Sequence, residues 1–88
     1  MIRTFRARVH LFSMEQRQLA RADCLLSVEI EAFAASRWAG VLTNVTPSVP
    51  AAGRYLLRLP NGRVREIDLG AVESGGCPFA GLGSLPMP

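Results

Sequence analysis

"RYLLRLPNGRVREIDL", residues 54–69, decides the fold. Apolar and polar side chains alternate on both sides of Pro60-Asn61-Gly62, as in two half-buried strands joined by a tight turn. Two turns compete. If Asn61-Gly62 alone forms a two-residue primed turn, Pro60 becomes a ladder position, and proline has no N–H to give. In a three-residue loop, Pro60 and Asn61 hold the central positions of a type I turn and Gly62 takes the left-handed position after it. Each residue suits its place, so the three-residue loop is predicted.

The register follows from the loop. Leu59 faces Arg63, Arg58 faces Val64, Leu57 faces Arg65, Leu56 faces Glu66, Tyr55 faces Ile67 and Arg54 faces Asp68. Tyr55, Leu57, Leu59, Ile67 and Leu69 then share the core face. The other face carries Arg54 across from Asp68 and Arg58 diagonal to Glu66, and opposite charges across a pair contribute about 0.2–1 kcal/mol. The rejected register would set Arg58 against Arg65. The hairpin therefore reads as a ribbon that neutralises much of its own charge. Arg63 and Arg65 have core-face parity beside the turn, where their stems lie along the rim and their guanidinium groups reach water.

Upstream, "RTFRARVHLF", residues 3–12, also alternates. Phe5, Ala7, Val9 and Leu11 oppose Thr4, Arg6, Arg8 and His10, which predicts a strand. "SMEQRQLARAD", residues 13–23, breaks the period. Ser13 and Gln16 have capping-box spacing, and Leu19 with the alanines forms a thin apolar stripe. Residues 14–22 thus read as a short helix or as a polar connection. "CLLSVEIEAF", residues 24–33, returns to period two, with Leu26, Val28, Ile30 and Ala32 on one face. Paired with the first strand, it would bring Glu29 and Glu31 to Arg6 and Arg8. "RWAGVLTNVT", residues 37–46, is a third strand, and the prolines of "PSVPAAG" mark a loop after it. Residues 74–88 are rich in glycine and proline. They read as a final short strand or a tail, with glycines on one face where the Trp38 ring can lie.

Runs of strands without regular helices predict one all-β domain over residues 1–88. It would be an antiparallel barrel or rolled sheet of five to six strands, with at most one short helix. "WAGVL" and "YLLRLPNGR" resemble the strand-and-hairpin rhythm of small β-barrels of SH3-like and OB-like size. The resemblance spans about a third of the chain and implies a fold type, from which function does not follow.

The basic residues are ten arginines and no lysine, with a net charge of +3. Residues 1–21 hold five arginines against Glu15 alone, whereas residues 22–88 hold five against six acids. Such a small excess argues against a concentrated polyanion-binding face. Cys24 and Cys77 have no metal-ligand spacing, so neither a metal nor a cofactor is expected. No signal peptide or membrane-length apolar run is apparent, which gives a cytoplasmic chain without membrane association as the expectation. His10 is the only histidine and has no nucleophile motif beside it. An enzyme would need a pocket near His10, Cys24 or Cys77 and is not expected.

The expected function is a non-enzymatic module that binds another protein or itself, as a homo-oligomer. Its contact residues are Phe12, Leu25, Phe33 and Leu56, apolar side chains out of core phase. The alternative is nucleic-acid binding through Arg3, Arg6, Arg8, Arg63 and Arg65, gathered at one end.

Overall fold

The computed structural model describes residues 2–29 and 37–83. Its strands are β1 (Ile2–Phe12), β2 (Gln18–Glu29), β3 (Arg37–Thr46), β4 (Gly53–Arg58), β5 (Val64–Leu69) and β6 (Cys77–Gly81). Every pairing is antiparallel, and the order β1-β2-β3-β6-β5-β4 closes a six-stranded barrel. No helix forms among the described residues. The expected small all-β barrel is the fold.

The β4–β5 hairpin takes the register its loop requires. Arg54 faces Asp68, Tyr55 faces Ile67, Leu57 faces Arg65 and Arg58 faces Val64. The Leu59 N–H donates to Arg63 O and the Gly62 N–H to Leu59 O, both at 2.9 Å. Gly62 has φ +85°, where a Cβ would strain the backbone. Asn61 Oδ1 accepts the N–H of Arg63 at 3.0 Å and locks the turn.

The connection between β1 and β2 is a turn and not a helix. Ser13 does cap, but it caps that turn: its Oγ accepts the N–H of Arg17 at 3.1 Å, and Gln16 takes φ +68°. β2 therefore starts at Gln18, well ahead of Cys24. Ala20 and Ala22 point inward opposite Leu11 and Val9. In a narrow barrel, small residues facing large ones let the interior fill without strain.

Buried Val9, Leu11, Leu26, Val28, Leu42, Leu57, Ile67, Leu69 and Phe79 fill the barrel from all six strands. Tyr55 and Leu59 pack partly buried at its margin, and Tyr55 donates its hydroxyl proton to Ala51 O at 2.6 Å. Trp38 closes one end. Its indole lies on Gly81 of β6, donates from Nε1 to Gly83 O at 3.1 Å, and meets Phe79 edge to face. A side chain at Gly81 would occupy the space of that ring, so the terminal segment takes its glycine where the tryptophan needs it.

Closure is uneven. β1 pairs with β2 along nearly its whole length but with β4 only at His10, Leu11 and Phe12. From Ile2 to Val9, no described strand pairs with the other edge of β1. An eleven-residue strand spans about 36 Å, close to the 39 Å long axis of the molecule. β1, β2 and β3 run on together at this end to Ile2, Glu29 and Arg37, past β4, whose pairing with β1 stops at His10. This is why Phe5 remains 40% exposed although it has inward parity.

Candidate interaction surface

The outer faces of the strands carry two apolar areas. On β2, β3 and β6, Leu25 faces Val41 and Val41 faces Pro78, forming one cross-strand row. Leu25 is 42% exposed and Val41 37%. Arg6 of β1 stands at the end of this row opposite Leu25, and Arg6, Asp23, Leu25, Thr43 and Asn44 line a shallow groove along it. The next row brings Ser27, Ala39 and Ala80 together, small side chains that keep the surface flat.

The second area lies on β1, β4 and β5. Phe12 faces Leu56, and a groove beside them is lined by Gln16, Arg58 and Val64. Arg58 covers part of it, its guanidinium carbon 5.1 Å from the centre of the Phe12 ring. Of the expected contact residues, Phe12 and Leu56 thus meet, and Leu25 lies apart from them beside Val41. Phe33 lies outside the described residues. Val41 and Pro78 could not be selected from the sequence, because each is ordinary strand content until the register sets it beside Leu25.

The arginines split by parity. Arg6 and Arg8 point outward from β1, while Arg3 has the parity of Phe5. Arg63 is exposed beside the hairpin loop, and Arg65 is half-buried with Nη1 donating to Val64 O at 2.8 Å. Antiparallel pairing directs the 60–63 loop toward the start of β1, but the β1–β4 ladder stops at His10 opposite Arg58, short of Arg3, Arg6 and Arg8.

Two ion pairs form among the described residues. Arg54 Nε donates to Asp68 Oδ1 at 3.2 Å, as the hairpin register requires. The other is a correction. Arg8 meets Asp23 at 3.8 Å rather than Glu29, because the early start of β2 places Glu29 opposite Ile2, and Glu31 lies outside the described residues. Asn44 Nδ2 also donates to Asp23 Oδ2 at 2.8 Å. Arg58 lies over Phe12 and does not bond Glu66, so charge matching on the hairpin comes down to one pair. Both ion pairs are substantially exposed and contribute at most about 1 kcal/mol each.

His10 lies on the outer face between Arg21 of β2 and Arg58 of β4, with Gln18 Nε2 3.1 Å from its Nδ1. Cys24 and Cys77 are buried free thiols on either side of Leu42 in the register. Burial pushes the Cys24 thiol up from 9.0 to about 11, so it is protonated and unreactive at neutral pH. A raised thiol pKa leaves stability intact below the unfolded value. Stability then falls as pH rises from 9.0 toward 11, where the unfolded chain ionises first. Urea melts across that window are expected to lose roughly 1–3 kcal/mol of stability, and Cys24→Ala to remove most of the loss. A pH-independent wild type would contradict the assignment.

Comparison of the chain with protein-family models, with curated proteins and with solved structures returned no match.

Proposed function

We propose that this small six-stranded barrel is a non-enzymatic module that binds another protein or a second copy of itself. The observation that carries the reading is the Leu25–Val41–Pro78 row. Exposed Leu25 and Val41 and half-buried Pro78, in register across three strands, make a flat contact area, which scattered surface hydrophobes do not. Arg6 at its margin adds a polar rim, the usual surround of such a patch.

Leu25→Asp tests the reading. Leu25 is exposed, so its replacement should leave the melting temperature nearly unchanged. Sedimentation over a wide concentration range reads self-association. Selection from a displayed random-peptide library reads hetero-association. At least one is expected to register with the wild type and to be lost in the variant. A strictly monomeric chain that selects no peptide would overturn the proposal.

A second reading rests on the cross-strand row Arg21–His10–Arg58, which sets three basic side chains abreast on the outer face. It favours a phosphate backbone as ligand. Its signature is oligonucleotide binding that weakens steeply with salt and with Arg21→Ala.

A further inference from the structure

Among the described residues, the edge of β1 away from β2 is unpaired from Ile2 to Val9, and the apolar row does not use it. We infer that residues 2–8 accept an extended, acidic strand from a partner protein, which adds to the sheet beside β1. The inference rests on the protein-binding reading above and names the chemistry of the partner.

Three observations support it. First, among the described residues the edge is long and bare. β1 pairs with β4 only from His10 onward, so Ile2–Val9 offers the N–H and C=O groups of every second residue to a new neighbour. Backbone pairing of this kind supplies affinity, and alternate side chains supply specificity. Second, both faces of this stretch are incompletely covered. Phe5 is 40% exposed on the inner face and Ile2 68% on the outer, so an arriving strand buries apolar area as well as pairing its backbone. Third, the charge is one-sided. Arg3, Arg6 and Arg8 lie in these residues, and among the described residues only Arg8 has a carboxylate within ion-pair distance.

That third observation also separates the occupants. A second copy pairing antiparallel through the same edge would bring Arg6 and Arg8 of both copies to one face, and like charges on neighbouring strands repel. β2 already shows the favourable alternative on the other side of β1, where Asp23 stands opposite Arg8. The fitting partner strand alternates. Its acidic residues lie on the outer face beside Arg6 and Arg8, and its apolar residues on the inner face beside Phe5 and Ala7.

The test uses an end-blocked decapeptide of alternating Glu and Val, with the Lys-Val counterpart and a single-stranded oligonucleotide as comparisons. Isotope-labelled protein reports amide shifts and hydrogen exchange. The Glu-Val peptide is expected to shift β1 amides, to slow exchange at alternate residues between 3 and 8, and to bind at least tenfold more tightly than the Lys-Val peptide. Arg6→Glu should remove that preference, and Arg6→Gln should reduce it. Equal binding of the two peptides, protection that spares β1, or preferential binding of the oligonucleotide would overturn the edge assignment. If library-selected peptides bind at Leu25 while β1 amides stay in free exchange, the edge assignment fails and the protein-binding reading stands. If no peptide binds in any format and the chain stays monomeric, both fail.

Discussion

Gly81→Ala should cripple the barrel, although it adds a single methyl group. A Cβ at this position overlaps Cδ2, Cε2 and Nε1 of the Trp38 indole, the rigid centre of the ring rather than a flexible tip. The ring cannot yield by a few tenths of an ångström and has to leave. With it go a side chain only 4% exposed, its edge contact with Phe79 and its hydrogen bond to Gly83. Losing a buried aromatic costs about 3–5 kcal/mol. Small domains hold roughly 5–15 kcal/mol in all, so the melting temperature should fall by roughly 15–30 °C. Gly75→Ala is the comparison. Gly75 has φ +82° and open space around it, so only backbone strain is added, about 1 kcal/mol. Tryptophan fluorescence during thermal unfolding measures both. A Gly81→Ala variant within a few degrees of wild type would mean that Trp38 does not lie on β6.

The second large effect separates two neighbouring leucines. Leu57→Lys should abolish folding, whereas Leu56→Lys should cost about 1 kcal/mol or less. Leu57 is fully buried on the inner face opposite Arg65, and an ammonium there has neither water nor an acid to meet. Leu56 is only half-buried on the outer face, and its hairpin partner is Glu66, which an ammonium suits. Circular dichroism of the two purified variants gives the answer directly. Equal tolerance, or the reverse order, would mean that the hairpin presents the other face to the core.

The β4–β5 hairpin was legible residue by residue because its turn leaves one chemically sensible choice. Proline refuses a ladder position and glycine fits the left-handed one, so the register of both strands follows. The meeting of Trp38 with a β6 glycine was legible for a related reason, since a large ring and a bare backbone are complementary in shape. The β1–β2 register was not legible. Ser13 and Gln16 carry helix-start chemistry that the same atoms also satisfy in a tight turn, and alanines at 20 and 22 fit either a helix stripe or the inside of a narrow barrel. Without the start of β2, the partner of Arg8 could not be chosen between Asp23 and the glutamates. Arg58 was misread because cross-strand charge was weighed and the Phe12 ring on a third strand was not.

The same limit applies to the interaction surface. Phe12, Leu25 and Leu56 stood out by being apolar out of phase, which any single strand reveals. Val41 and Pro78 gain meaning only from three-strand register. The bare edge of β1 gains it from how far β4 reaches along β1, a length that depends on barrel stagger and on no residue of β1 itself.

Hydrogen exchange in the free protein tests the one-sided pairing of β1 most directly. His10, Leu11 and Phe12 pair with strands on both edges of β1, and their amides should be well protected. Between residues 3 and 8, protection should alternate, with amides directed at β2 slow and those directed away exchanging at nearly the rate of an open chain. Uniform protection from residue 3 to residue 8 would show that another part of the protein already occupies this edge, and the proposed strand acceptor would be ruled out.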